Sequence, residues 1–327
     1  MAPDWLIPFS SRLSIQNLIK QCDQHLVVLL YHGVNNGAPI SFIDPLYPSR
    51  SVATFAEDMR FMEAHYEAVN LEEIVSNKGV FAKPSYHVTF DDGLRSVYDL
   101  ALPVLEECAV KASVYLNNSF IDNRGLFYRY KVALIIDSVD EDQALGKKLT
   151  GYQQGDDLNV WLLSLGYEDL ELIDKMAQEI SLDFSEFLKK EQPYLSSDQI
   201  REMQNRGVEF GAHSFDHQLL QQNSSAEKMQ QNIKDSIDDI ARRFAIKNRA
   251  FAFPFTDAEI SADAMEAMSA YTAISFGTAG LKIDNVEHHY QRIPMEIGSR
   301  SAESILKNVY YYYWMCSKVG KHKMKRG

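Results

Sequence analysis

Apolar residues follow two different periodicities in the first part of the chain. Residues 25–34, HLVVLLYHGV, are almost wholly apolar and rich in Val and Leu, which predicts a short strand of a buried parallel sheet. Residues 53–68 place apolar side chains three or four positions apart, which predicts an amphipathic helix. Its apolar face consists of Phe55, Met59, Met62 and Tyr66.

The same order of strand and helix recurs along the chain. Residues 86–90 have the composition of a strand, and apolar residues at helical spacing follow within 97–108. Further strands are predicted within 111–118, 208–214, 250–256 and 271–277, and further helices at 196–207 and 224–244. Repeated β/α units predict a parallel sheet, either open or closed.

Residues 121–195 interrupt this alternation. Helical periodicity is present, for example in NVWLLSLGYEDLELIDKMAQEI at 159–180, but no strand lies between the helices. The segment is rich in Trp, Leu and Tyr, so it is not a flexible linker. The sequence therefore predicts a single domain over residues 1–327 with a helical insertion at 121–195.

Composition and charge exclude several classes of protein. Of the 327 residues, 46% are hydrophobic and 24% are charged, as in a globular protein. The formal net charge of −12 argues against nucleic acid or an anionic membrane as the main partner. The basic stretch at 318–327 is expected to be a frayed, solubilising terminus.

The cysteines and the apolar runs predict a location. Cys22, Cys108 and Cys316 are odd in number and far apart, which predicts a reducing compartment and no disulfide framework. The first twenty residues lack the pattern of a secretory signal, and no run of about 18 apolar residues occurs. The chain is therefore expected to be cytoplasmic and without a membrane span.

Two adjacent carboxylates, Asp91 and Asp92, lie where a predicted strand ends and a helix follows. This is where α/β folds place chemistry, although a solvated Asp-Gly turn explains the same residues. His213 and His217 are four positions apart, a spacing that stacks two imidazoles on one face of a helical turn. Such a pair is a weak signal alone, since most histidines are ordinary, partly buried residues.

The carboxylates and the histidines together are stronger evidence for a catalytic site than either pair alone. Asp92, His213 and His217 would form a three-ligand metal site with open positions for water, which is the catalytic kind. Asp91 would then be free to act as a general base, because adjacent residues of a tight turn can point in different directions.

Two weaker signals lie at other strand ends. Pro254 and Phe255 end the strand at 250–256, where a backbone N–H could meet a developing oxyanion, although strands often end in proline. His32 ends the first strand, where an ordinary core histidine is the simpler interpretation.

These four segments, in this order, resemble the NodB-like polysaccharide deacetylases of carbohydrate esterase family 4. TFDDG at 89–93 is similar to the family's first motif, HSFDH at 213–217 to its His-Ser/Thr-x-x-His motif, and FAFPF at 251–255 to its third motif. The resemblance spans about residues 25–300 and implies a distorted (β/α)7 barrel related to the (β/α)8 barrel.

The resemblance also implies a role for each matched residue. It implies Asp91 as the general base, Asp92, His213 and His217 as metal ligands, and the N–H of Phe255 as the oxyanion donor. The family's late LLHD-like strand, whose histidine is the general acid, is missing from its usual place. LLYHG at 29–33 stands at the front instead, as in circularly permuted members, and this likeness assigns the general acid to His32.

The sequence departs from the family pattern at the third motif. Phe253 stands where an arginine often precedes the proline, and Thr256 replaces the usual glycine. Arg292 is the candidate for the missing cation that orients Asp91. His288 and His289 compete with His32 as acid candidates, although their polar surroundings predict a solvated loop.

The implied function is metal-dependent hydrolysis of the acetamide of an N-acetylated amino sugar, releasing acetate. The metal is expected to be one divalent ion, zinc in preference to cobalt, nickel or iron. Alternatives are an amidase that acts on a small non-sugar amide and a glycan-binding domain without catalysis. The insertion is expected to pack over the carboxyl ends of the strands, with Tyr128 and Trp161 as either sugar-stacking or core residues.

Overall fold

The structure is a computed structural model that describes residues 2–220 and 226–326. Within these residues the strands are β1 Leu26–Tyr31, β2 Val34–Asn35, β3 Arg50–Ser51, β4 Glu67–Ala68, β5 Ser85–Phe90, β6 Ala112–Leu116, β7 Glu209–Ala212, β8 Ala250–Ala252, β9 Ile274–Gly277 and β10 His289–Pro294. Each strand that the apolar pattern predicted is present, although the ends differ by one or more residues.

The helices are α1 Ile7–Ser10, α2 Ile15–Cys22, α3 Val52–His65, α4 Leu71–Ser76, α5 Leu102–Glu107, α6 Tyr128–Glu141, α7 Gln143–Leu149, α8 Leu158–Ser164, α9 Leu170–Glu179, α10 Phe184–Glu191, α11 Ser197–Asn205, α12 Ala226–Phe244, α13 Ala262–Met268 and α14 Ala302–Lys318. A π-helical turn, Val97–Ala101, precedes α5. The helix predicted at 224–244 corresponds to α12, and its first two residues lie outside the described residues.

Seven strands form a closed parallel barrel. β1 pairs in parallel with both β5 and β10, and the order around the barrel is β1-β10-β9-β8-β7-β6-β5. β4 pairs with the start of β5, and β2 and β3 form a separate parallel pair. The predicted (β/α)7 barrel is therefore confirmed. Closure makes the first strand and the last strand neighbours, so the residues that follow them share one mouth of the barrel.

The alternation of side chains along β5 separates the core from the site. Tyr86, Val88 and Phe90 belong to the hydrophobic core between the barrel and its helices. Thr89 instead contacts the guanidinium of Arg292, which also reaches Asp91. Because strand side chains alternate, Asp91 continues the inner row of β5 into the mouth of the barrel.

The insertion has a hydrophobic core of its own. Helices α6 to α10 bury one another's apolar faces, and Trp161 is part of this core. The insertion also packs over the carboxyl ends of the barrel strands, where we expected it: the Phe127 ring lies 4.2 Å from the ring of His217. Tyr128 is buried against Tyr167. The core interpretation therefore fits both Trp161 and Tyr128.

Two further findings bear on the sequence predictions. In the described part of the chain, no helix is long and apolar enough to cross a membrane. Cys22, Cys108 and Cys316 are free thiols. The absence of a disulfide framework, predicted from cysteine number and spacing, thus agrees with the structure.

The basic tail is docked, so the prediction of a frayed terminus is wrong. Arg326 donates hydrogen bonds to the carboxylates of Asp257 and Asp284 and to the backbone oxygens of Asp257 and Ile260. Its side chain is only 4% exposed. The prediction failed because it used only the charges of the tail, whereas the carboxylates that bind Arg326 are distant in sequence.

Removal of this cation is expected to destabilise the protein strongly. Arg326→Ala leaves Asp257 and Asp284 buried with one partner fewer, and breaking a buried pair in this way typically costs about 3–5 kcal/mol. Urea denaturation measures the free energy of unfolding. Lys325→Ala is the matched control, because Lys325 is exposed and its loss should change stability by less than about 0.5 kcal/mol. Equal effects of the two substitutions would contradict the docked tail.

Candidate active site

Asp91 is held by a buried arginine. It follows β5 directly, and both of its carboxylate oxygens accept hydrogen bonds from Arg292 of β10, at 2.6 and 2.7 Å. The Nε of Arg292 donates to the carbonyl of Gly277, which fixes the guanidinium plane. Burial alone would raise the pKa of Asp91, but the charge of Arg292 holds it below its usual value. Asp91 is therefore an ionised and rigidly oriented carboxylate.

Asp92 points towards the two histidines. Its Oδ1 lies 3.2 Å from Nε2 of His217 and 3.7 Å from Nε2 of His213. All three side chains are at most 6% exposed. Their potential ligand atoms lie within 4.8 Å of one another, close enough to bind one ion.

The two histidines do not lie on a helical turn, so that part of the prediction is wrong. They follow β7 in a loop in which Ser214 and His217 have positive φ angles of 66° and 59°. The hydroxyl of Ser214 accepts a hydrogen bond from the N–H of His217 and stabilises this bend. The bend brings both imidazoles to Asp92, as a helical turn was expected to do.

This group of residues fits a divalent cation. Nδ1 of His213 lies 2.8 Å from the carbonyl of Ala252, which places the proton on Nδ1 and leaves the Nε2 lone pair free. Burial lowers the pKa of His213 to about 4, so the ring is neutral at pH 7. Among the described residues, Oδ1 of Asp92 has no hydrogen-bond donor although it is buried. A buried carboxylate oxygen facing two imidazoles suits zinc and other first-row metals.

His32 follows β1 at the same mouth and is paired with Glu296. Nδ1 of His32 lies 2.5 Å from one carboxylate oxygen of Glu296, and the other oxygen accepts from the backbone N–H of His32. Burial opposes protonation, but the charge and hydrogen bond of Glu296, with Asp92 and Asp91, raise the pKa of His32 to about 9. His32 is therefore protonated at pH 7.

Sequence reasoning missed Glu296. The available signal was its position two residues after Pro294, the last residue of β10. In a closed barrel β10 borders β1, so a carboxylate just beyond β10 can reach a histidine just beyond β1.

Phe255 lies beside the metal ligands. Its backbone has a positive φ of 57°, and its ring packs edge-on against His217 at 4.7 Å. Its amide N–H donates to no backbone carbonyl of the described residues. Phe253, which stands in the usual place of an arginine, packs in the outer core against Phe251. The charge beside Asp91 comes from Arg292 instead.

His289 is not in a solvated loop, contrary to the prediction. It is the first residue of β10, is 3% exposed, and lies between Ser275 at 2.8 Å and Asp257 at 3.0 Å. Both ring nitrogens of His289 therefore have hydrogen-bond partners. His288 lies just before the same strand, beside Glu287. Both residues are therefore at the amino end of β10, whereas Arg292 and Glu296 are at its carboxyl end.

The insertion contributes a residue that the sequence did not single out. The hydroxyl of Tyr130, on α6, donates a hydrogen bond of 2.5 Å to Oδ2 of Asp92. Nothing local in the sequence distinguishes Tyr130 from the other aromatic residues of the insertion.

The fold and the site together define a class of protein. The chain is a (β/α)7-barrel hydrolase, and the mouth of its barrel brings together one carboxylate and two histidines that could hold a metal ion, with a second carboxylate, Asp91, beside them. A family model for polysaccharide deacetylases matches residues 78–273. The chain belongs to the polysaccharide deacetylase family, and it is an enzyme that removes N-acetyl groups from a sugar.

Solved structures share this fold at low sequence identity. Deacetylase PplD of Streptococcus pyogenes, in complex with acetate, is 17% identical, with 87% of this chain and 97% of that chain covered and a TM-score of 0.56. IcaB from Ammonifex degensii is 16% identical, with 88% and 97% covered and a TM-score of 0.55. A de-N-acetylase from Aggregatibacter actinomycetemcomitans is 16% identical, with 87% and 99% covered and a TM-score of 0.54. No curated protein matches the chain significantly.

Proposed function

We propose that residues 1–327 form one catalytic domain, a metal-dependent hydrolase that cleaves the acetamide of an N-acetylated amino sugar and releases acetate. One observation carries this proposal: each of two adjacent buried carboxylates has a partner that the other lacks. Asp91 is paired with Arg292 and Asp92 faces His217, while Nε2 of His213 lies between them, 3.6 Å from Oδ2 of Asp91 and 3.7 Å from Oδ1 of Asp92. This separation gives a base beside a cation site, a combination that glycan binding alone does not require.

Asp92, His213 and His217 would hold the cation. Nitrogen and oxygen donors favour zinc, and cobalt, nickel and iron suit the same set. A divalent ion bound there would polarise the acetyl carbonyl and make water more acidic.

Asp91 would accept the proton of the attacking water. Its carboxylate lies next to the cation site, with Oδ2 3.6 Å from Nε2 of His213. The paired hydrogen bonds of Arg292 fix the carboxylate plane and leave further lone pairs for water. The N–H of Phe255 would donate to the oxyanion that develops on the acetyl carbonyl oxygen when water attacks the carbonyl carbon.

His32 would protonate the leaving nitrogen. An amine leaves poorly from a tetrahedral carbon unless it gains a proton. Because Nδ1 of His32 donates to Glu296, Nε2 is the nitrogen available to the substrate. Glu296 is thus a positioning residue that also keeps His32 protonated.

The pH dependence of the reaction should report this pairing. A histidine acid is active below its pKa, and activity falls as pH rises through that pKa. Glu296→Gln removes the carboxylate that raises the pKa of His32, so the alkaline limb of kcat/KM should move to lower pH by about 1–3 units. Glu287→Gln is the control, since this exposed carboxylate pairs with Lys78. An alkaline limb that stays in place in Glu296→Gln would assign the acid to another group.

Acetate release from a panel of acetylated compounds tests the proposed function. The panel contains N-acetylated monosaccharides, oligosaccharides and non-sugar acetamides, and Asp91→Asn serves as the inactive control. Release from sugars above that control is the expected result. Release from non-sugar acetamides alone would indicate a small-molecule amidase, and no release with intact metal binding would indicate a binding domain.

A further inference from the structure

Tyr130 connects the helical insertion to the candidate metal site. Its side chain is fully buried, and its hydroxyl donates to Oδ2 of Asp92 at 2.5 Å. The hydroxyl of Tyr47 lies 3.0 Å from the same oxygen of Tyr130. A phenol has one hydrogen, which Tyr130 gives to Asp92, so Tyr47 must donate to Tyr130. The two hydroxyls therefore form an ordered chain that ends on Asp92.

Aromatic packing holds the Tyr130 ring in place. Phe127 and Phe42 meet the ring edge-on at 5.0 and 5.2 Å, and Tyr194 stacks on it at 6.4 Å. Tyr47 in turn lies 4.6 Å from the ring of His32. The hydroxyl of Tyr130 thus has a fixed position relative to the barrel mouth, set by residues from three parts of the chain.

The hydrogen bond divides the two oxygens of Asp92 between two tasks. Oδ2 is engaged by Tyr130, whereas Oδ1 faces His217 and His213 without a donor among the described residues. The backbone of Asp92 has a positive φ of 68°, a conformation that surrounding contacts must stabilise in a residue with a side chain. The hydrogen bond from Tyr130 is one of the contacts that fix the orientation of this carboxylate.

We propose that Tyr130 is a positioning residue for metal binding: it holds Oδ2 of Asp92 so that the carboxylate binds the cation through Oδ1 alone. The inference rests on the proposed function, since it takes Asp92, His213 and His217 as the ligands. It makes the insertion part of the metal centre as well as a cover over the barrel mouth. A phenol is the appropriate donor here, because it reaches the carboxylate from α6 without adding charge.

Metal binding by substituted proteins tests this inference without any sugar. Zn²⁺ affinity is measured by competition with a chelator, and the visible absorption of Co²⁺-loaded protein reports ligand geometry. Tyr130→Phe should lower Zn²⁺ affinity by about 10–100-fold, as the loss of a hydrogen-bond partner of a metal ligand typically does, and should change the Co²⁺ spectrum.

Tyr194→Phe is the matched control. Tyr194 is an equally buried tyrosine of the same cluster, but its hydroxyl accepts from the N–H of Phe127 and does not reach Asp92. Its loss should lower thermal stability and leave Zn²⁺ affinity and the Co²⁺ spectrum as in the wild type. Tyr47→Phe keeps the Tyr130 hydroxyl but removes the bond it accepts, so a smaller loss of affinity is expected. This variant retains the test if Tyr130→Phe fails to fold.

The outcomes separate the two proposals. Wild-type affinity and spectrum in both Tyr130→Phe and Tyr47→Phe would overturn the inference and leave the proposed function standing. An equal loss in Tyr194→Phe would also overturn it, since the effect would then come from packing. A wild-type protein that binds neither Zn²⁺ nor Co²⁺ would overturn the proposed function itself.

Discussion

Asp91→Asn is expected to abolish most deacetylation while the protein keeps its metal. Asparagine preserves the shape of the side chain and can still accept a hydrogen bond from Arg292, but it cannot take a proton from water. Loss of a positioned general base typically lowers the rate by about 10²–10⁴-fold. Acetate release measures the rate, and elemental analysis measures the metal.

The neighbouring substitution should have a different effect. Asp92→Asn removes the only carboxylate of the Asp92, His213 and His217 group. Its primary effect should therefore be a lower metal content, and the loss of activity should follow from the loss of metal. Each variant serves as the control for the other, since both replace one carboxylate oxygen with an NH2 group on the same turn. Loss of metal from Asp91→Asn and not from Asp92→Asn would reverse the two roles.

His32→Ala is expected to slow amide hydrolysis by about 10²–10⁴-fold, the usual contribution of general acid catalysis. The fold and the metal content should be unchanged, because His32 is not among the three metal ligands and its ring is partly exposed. An activated acetate ester should be affected much less, since its leaving group departs without a proton. The comparison of the two substrates identifies the step that the histidine serves.

His25→Ala is the matched control for this experiment. His25 precedes the opposite, amino end of β1, where its ring contacts the carbonyl of Phe81 far from the barrel mouth. It should leave both rates close to the wild type. Equal losses on the amide and the ester in His32→Ala would show a structural role for His32. His289 would not then be a ready substitute, because both of its ring nitrogens already have partners.

The alternation of strands and helices was predictable because apolar residues are spaced differently in strands and in helices. The apolar run of β1 and the helical face of α3 each follow a local rule, and their repetition implies a parallel sheet. Whether the sheet closes could not be read from this pattern. Closure depends on β1 pairing with β10, which is more than 250 residues away. It was expected only from the resemblance to a known family.

The site was predictable where its residues are adjacent in sequence. Asp91 and Asp92 were found at a strand end, and His213 and His217 were found by their spacing. The structural explanation of this spacing was wrong, since a loop with positive φ angles, and not a helical turn, brings the two imidazoles together. Local spacing constrains which side chains can meet, but it does not fix the backbone that joins them.

The missed residues are those whose partners are distant. Glu296 meets His32 across 264 positions, and Tyr130 meets Asp92 across 38. Arg326 enters a buried acidic cluster whose members lie in two separate loops. No periodicity joins such pairs, because only the closed barrel and the packed insertion bring them together.

Acetate release measured before chelation, after chelation and after the return of Zn²⁺ tests the metal-dependent mechanism most directly. The substrate is the N-acetylated sugar that the panel identifies. We expect about one divalent ion per chain, loss of activity on its removal, and recovery with about one equivalent of Zn²⁺. His213→Ala/His217→Ala should bind no metal and should not recover. Full activity of the metal-free protein, or undiminished metal in the double variant, would contradict the proposed site.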